Sequence, residues 1–137
     1  MANLVRFGVS LEKELLHRFD ACLRQKNYNC RSEGIRDLIR ESLVKQEWLE
    51  GNEVAGTITI IYDHHRRELV NKLTDIQHDF GSSIISTQHI HLDHHNCLEI
   101  IAVKGRPQVA QKLADMLKAV KGVKHTTLSM SSTGKCI

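Results

Sequence analysis

The sequence predicts an α+β chain in two parts, a βαα segment over residues 1–50 and a βαββαβ domain over residues 51–137. Three observations carry this. Apolar and polar residues alternate at 4–9 and are followed by two runs of apolar residues at helical spacing. Beyond Gly51, strand-like and helix-like runs follow in the order β-α-β-β-α-β, which is the ferredoxin-like arrangement. The histidines are also unevenly placed, with His17 before residue 51 and eight after it.

In residues 4–9 (LVRFGV), Val5, Phe7 and Val9 point one way, and Arg6, Gly8 and Ser10 the other. Ser10 is placed to cap a helix, and Glu12 and Glu14 suit its positive end. Leu11, Leu15, Phe19 and Leu23 mark one face of that helix, and Lys26 to Asn29 break it. Asn27, which tolerates the left-handed conformation, stands at the break. A second helix starts near Arg31 and carries Ile35, Leu38, Ile39 and Leu43 on one side. So short a segment cannot close a core, and a lone strand leaves its backbone edge unpaired. Two copies of the strand are therefore expected to pair, making the segment an obligate dimer.

Residues 51–54 read as a linker. Residues 54–62 form a strand rich in Thr and Ile. Residues 65–80 form a helix with Leu69, Leu73, Ile76 and Phe80 on its core side. Strands follow at 83–92 and 97–104. Pro107 suits the first turn of a helix whose core face is Val109, Leu113, Met116, Leu117 and Val120. A last strand covers 123–130.

Composition bounds the function. A 41% hydrophobic content supports a packed core, and 4% aromatics make that core aliphatic. The net charge of +3 is mild, so a nucleic-acid face must come from placement, not bulk charge. The N-terminal residues do not resemble a signal peptide, and no run approaches the ~18–20 apolar residues of a membrane helix. A cytoplasmic protein with reduced thiols and no membrane partner is expected. Of the cysteines, Cys22 and Cys30 are expected as small structural fillers and Cys136 as a frayed end, leaving Cys97 for chemistry.

That chemistry centres on residues 88–99 (QHIHLDHHNCLE). His89 and His91 share one face of a strand, with Ile90 and Leu92 expected in the core. A three-residue loop at 94–96 places Asp93 opposite Cys97. His89, His91, Cys97 and Glu99 then share a face, with Leu98 and Ile100 buried opposite. Two imidazoles and a thiolate suit a borderline or soft cation. His78, near the end of the preceding helix, is a candidate fourth ligand from this subunit or another, and Glu99 a candidate to orient a histidine. A H-x-H pair alone is a weak signal; followed by Cys at this spacing, with His78 in range as a fourth ligand, it is strong. The other histidines read as surface or turn residues. Four protein ligands leave no open metal position for catalysis, and no nucleophile elbow, phosphate loop or carboxylate dyad is present, so no enzyme is expected.

Tyr28 to Asp37 (YNCRSEGIRD), together with His89-Ile90-His91 and Cys97-Leu98-Glu99 with His78, resemble the nickel-responsive regulators, the NikR family of the ribbon-helix-helix class. The resemblance runs from about residue 4 to residue 134. It implies paired strands entering the DNA major groove, with Arg6, Gly8 and Ser10 outward. It implies a phosphate grip at Asn29 to Ser32 and backbone contacts from Arg66 and Arg67; Arg31 and Arg36 are further candidates to hold phosphates. It implies ACT-type C-terminal domains forming the centre of a homotetramer, a dimer of dimers that reads a pseudo-palindromic double-stranded operator. One Ni2+ per subunit is implied, square-planar, on His89, His91 and Cys97 of one subunit and His78 of a neighbour. Glu33 and Asp37 match carboxylates that hold a second cation in some members. Gly8 stands where a base-reading hydroxyl residue is expected, and Gly34 where Ala is usual. The function implied is a nickel-dependent repressor of nickel-uptake genes. Alternatives from other classes are a metal buffer or chaperone without DNA, and a ribbon-helix-helix regulator that answers another metal or a small organic ligand.

Overall fold

A computed structural model of the chain describes residues 3–137. It divides into two compact units, one up to Arg40 and one from Glu41 to Ile137.

The first unit contains helix α1 (Lys13–Gln25) and the start of α2 (Arg31–Glu50). Residues 3–12 form no strand, and Val5, Phe7 and Val9 are 84%, 70% and 59% exposed. The physical reason is that the expected strand has nothing to pair with in a single copy. Ser10 is not the cap: α1 begins two residues later than that cap requires, with Glu12 at the N-cap in extended conformation and no side-chain cap bond. Its other end is closed by Asn27 at φ 60°. The Asn27 and Tyr28 N–H groups donate to the carbonyls of Arg24 and Leu23, which is the paired-bond closure that a left-handed residue permits. Gly34 lets α2 approach α1. A Cβ there would meet Leu23 Cδ2 at 2.1 Å, and Leu23 is buried. Cys22 and Cys30 are exposed, not packed fillers.

The second unit contains the end of α2, then β1 (Val54–Tyr62), α3 (Arg67–Asp79), β2 (Ile84–His91), β3 (Cys97–Gly105), α4 (Pro107–Ala119) and β4 (His125–Met130). The four strands make one antiparallel sheet in the order β2-β3-β1-β4. This is the mixed α/β arrangement expected of the βαββαβ pattern. Val54, Ile58, Ile60 and Tyr62 of β1 and Cys97, Ile101 and Val103 of β3 are buried, together with Leu69 and Leu73 of α3 and Leu113 and Leu117 of α4. On α4, Ala110 and Ala114 complete that face, whereas Met116 is 37% exposed and belongs to the outer side. Trp48, near the end of α2, joins this core and donates its indole N–H to the Ser131 carbonyl at 2.8 Å. Gly56 lies beneath it: a Cβ there would meet the Ser129 carbonyl oxygen at 2.6 Å and Trp48 Cζ2 at 3.2 Å.

The buried face of β3 is the reverse of the one expected. Cys97, Glu99, Ile101 and Val103 are buried, Leu98 and Ile100 are half-buried, and Leu92 is 53% exposed. Alternation fixes which residues share a face but not which face the helices cover. Among the described residues no helix is long and apolar enough to cross a membrane.

Candidate metal centre

The β2–β3 hairpin sets the centre. His91 pairs with Cys97 and His89 with Glu99. The pairing runs two residues short of the expected turn, because the Leu92 and Asp93 N–H groups both donate to the Asn96 carbonyl. A shift of two preserves side-chain parity. His89, His91, Cys97 and Glu99 therefore stay on one face, with Cys97 opposite His91 and not opposite Asp93.

That face is the one the helices cover, which explains how a carboxylate enters the interior. Glu99 is 3% exposed. Its Oε2 accepts from the Tyr62 hydroxyl at 3.0 Å and its Oε1 from Gln77 Nε2 at 3.1 Å. His89 Nε2 lies 3.3 Å from Oε1. Each buried oxygen thus has a partner, the condition under which a polar group is tolerated inside. Burial, followed by the adjacent Glu99 charge, pushes the Tyr62 phenol well above its ordinary value, so Tyr62 stays a neutral donor to Glu99.

His89 Nδ1 sits 3.2 Å from the Tyr62 oxygen and 3.9 Å from Cys97 Sγ. Metal–nitrogen and metal–sulfur bonds run about 2.0–2.3 Å, so one ion can touch both atoms. A buried thiol beside an imidazole, oriented by a hydrogen-bonded carboxylate, fits a borderline metal ion. The His91 ring lies edge-on to His64, with centroids 4.6 Å apart. His78 is not brought to this group: it is exposed near the end of α3, while Gln77 uses the inward direction to reach Glu99. Successive helix residues diverge by about 100°, so His78 is turned away from the centre of its own chain.

The residues expected at DNA lie in two places. Arg6, Gly8, Ser10, Asn29, Arg31, Ser32 and Arg36 are exposed in the first unit. Arg31 makes a two-pronged ion pair with Asp20, at 2.9 and 2.8 Å, and Arg36 Nε donates to the Ser32 carbonyl at 3.3 Å. Glu33 accepts the Asn29 N–H at 3.2 Å and Asp37 the Tyr28 hydroxyl at 2.5 Å. Arg66 and Arg67 are exposed at the start of α3, as its N-cap and first residue.

A second cluster, unexpected from the sequence, lies at the same end of the sheet. Asp63 and His65 lie close to His95, one ligand atom from each falling within 4.8 Å of the others. The signal was present: Asp-His-His occurs at 63–65 and again at 93–95. Tyr62 pairs with Cys97, so both tripeptides fall at one end of the sheet. Each aspartate accepts the backbone N–H two residues on, Asp63 from His65 at 3.0 Å and Asp93 from His95 at 2.8 Å. The His65 N–H holds the Asp63 carboxyl below the usual carboxylate range. The Asn96 side-chain amide does the same for Asp93. His64 is lowered by desolvation first and then by the neighbouring His65.

The chain thus combines a four-stranded antiparallel βαββαβ sheet with a buried cysteine and glutamate beside an exposed histidine at one end of it. Residues 55–131 match the family described as "NikR C terminal nickel binding domain". Three relatives bear the name "Putative nickel-responsive regulator". That of Syntrophus aciditrophicus is 61% identical, covering 98% of this chain and 98% of its own. That of Chlorobium limicola is 58% identical, over 98% of this chain and 100% of its own. That of Pyrococcus furiosus is 52% identical, over 98% and 99%. A solved structure of an uncharacterized Thermotoga maritima protein superposes with a TM-score of 0.50 at 15% identity, covering 56% of this chain and 98% of its own, which is a likeness of fold. The chain belongs to the family of nickel-responsive regulators.

Proposed function

We propose that this protein is a nickel-dependent DNA-binding repressor acting in the cytoplasm on nickel-uptake genes. The observation that carries the reading is the buried Cys97 thiol 3.9 Å from His89 Nδ1, beside a Glu99 held by Tyr62 and Gln77, inside a domain matching a nickel-binding family. Nickel would be held, one ion per subunit, by His89, His91 and Cys97 of one copy and His78 of a neighbour. The metal supplies a bond that joins two subunits. Within the chain, Glu99 and Tyr62 fix the His89 ring before any metal arrives. The turning of His78 away from its own centre supports a shared site.

The residues before 51 are proposed as a ribbon-helix-helix dimer and residues 51–137 as an ACT-like tetramerisation domain. Support comes from exposed apolar side chains: Val5, Phe7 and Val9 in the first segment, and Leu15, Leu38 and Ile39 on α1 and α2. Such side chains need a covering partner. Paired strands present Arg6, Gly8 and Ser10 to base edges, while Asn29, Arg31, Ser32, Arg36, Arg66 and Arg67 hold phosphates. Glu33 and Asp37 carry the charge for a secondary cation. Two ribbon dimers in one tetramer match a pseudo-palindromic operator. Nickel acts by favouring the arrangement in which both dimers meet one DNA face, through its differential affinity for that state.

The test is a nickel titration of the full chain beside Cys97→Ala. A sulfur-to-nickel charge-transfer band at one ion per subunit, lost in the variant together with metal-dependent operator retardation, is expected. A variant that keeps its band or its nickel response overturns the reading. Nickel uptake without operator binding would instead make the protein a metal buffer.

A further inference from the structure

From His91 of the Cys97 centre outward, five histidines form a chain of ring contacts at the end of the sheet. His91 meets His64 at 4.6 Å between centroids, His64 meets His65 at 4.2 Å, His65 meets His94 at 4.8 Å, and His94 meets His95 at 4.9 Å. Apolar packing does not explain the outer members, since His65, His94 and His95 are exposed. Asp63 sits among them. Among the described residues its carboxylate has no lysine or arginine in ion-pair range; its partner is His65.

The geometry suits a cation. Asp63 Oδ1 and His65 Nδ1 are 3.1 Å apart. Two ligand atoms bound at about 2.1 Å and at a right angle lie about 3.0 Å apart, and two opposite ones about 4.2 Å. The first pair therefore already has the separation of adjacent ligands. The third atom, on His95, lies within 4.8 Å of both, so a movement of about 1–2 Å at an exposed ring brings all three to bonding distance. One carboxylate and two imidazoles, open to water for the remaining positions, match a borderline divalent ion such as Ni2+, Zn2+ or Co2+. We propose that Asp63, His65 and His95 form a second, solvent-open site for a divalent cation, distinct from the Cys97 centre. The rigid turns support it: both tripeptides are pinned by their own aspartates, so ordering them costs little on binding.

The experiment is equilibrium dialysis of the full chain against nickel alone, comparing wild type with Asp63→Asn/His65→Gln and with His95→Gln. Asparagine keeps an oxygen for the His65 N–H and removes only the charge. Both variants are expected to bind one nickel equivalent fewer per chain than wild type, with the sulfur-to-nickel band unchanged. Equal stoichiometry in wild type and Asp63→Asn/His65→Gln overturns the site, and equal stoichiometry in His95→Gln removes His95 from it. The two readings separate cleanly: loss of one equivalent in the variants, with no sulfur band in any protein, upholds the outer site and overturns the Cys97 centre.

Discussion

Asp20 and Arg31 show how one ion pair sets a side chain's titration. The Arg31 hydrogen bond holds the Asp20 carboxyl below its ordinary value. The sign follows from linkage: a carboxyl depressed in the folded state adds stability above its unfolded pKa and loses it as pH falls through the lowered value. Arg31→Gln is expected to return Asp20 towards its ordinary pKa, read by carbon NMR of the carboxyl, with a small effect on stability because the pair is exposed. Asn27 is the other single-residue constraint. A left-handed residue with a Cβ costs about 1–2 kcal/mol unless it is Asn or Gly. Asn27→Ala should lose about 1 kcal/mol in urea unfolding while Asn27→Gly is nearly neutral; equal losses in both would show that the side chain, not the backbone, matters. Asn27 could be read in advance because its preference is local. The Asp20–Arg31 pair joins residues on two helices, and periodicity is silent about it.

At the scale of elements, the long periodic runs were legible. The order and approximate bounds of α3, β3, α4 and β4 follow from alternation and helical spacing, because each is a local consequence of burying one face. The orientation of β3 was not. Cys97 and Glu99 read as an outer polar face, yet they are interior because Tyr62, Gln77 and His89 satisfy the carboxylate, a condition assembled from three other elements. The parity of the metal-binding residues was legible even though the turn was misjudged, since a slip of two leaves every side chain on its face. The Asp63–His95 cluster was hidden for a related reason: two identical tripeptides mean little until strand pairing places them together. Element packing also makes a sharp prediction at Gly56. Gly56→Ala forces β4 or Trp48 to move and should cost about 1–3 kcal/mol, measured by thermal or urea unfolding. A stable variant would mean that the sheet yields there at no cost.

For the whole molecule, the exposed apolar surface argues for assembly. In β1 and β3 the outward residues include Thr57, Thr59, Ile61, Leu98 and Ile100, all half-buried and facing away from the helices. Val5, Phe7 and Val9 are exposed as well, so the proposed dimer of dimers would have two separate regions to cover. Phe7→Asp is expected to halve the assembly from tetramer to dimer in sedimentation velocity and to abolish operator retardation, while leaving the sulfur-to-nickel band in place. A variant that remains tetrameric and binds the operator would show that the N-terminal segments do not pair as proposed. This level was the least legible in one sequence, because a neighbouring copy appears in it only as surface left over.

Trp48 gives this chain an internal lamp. It is the only tryptophan, it is 8% exposed, and its indole is hydrogen-bonded to Ser131. Any tryptophan emission therefore originates where the last turns of α2 rest on the end of the sheet, far along the strands from Tyr62 and Cys97. Blue-shifted light reports that α2 is seated there, and a red shift reports that it has come away. A change in that colour on adding nickel would thus report movement at this seat, and not the metal itself.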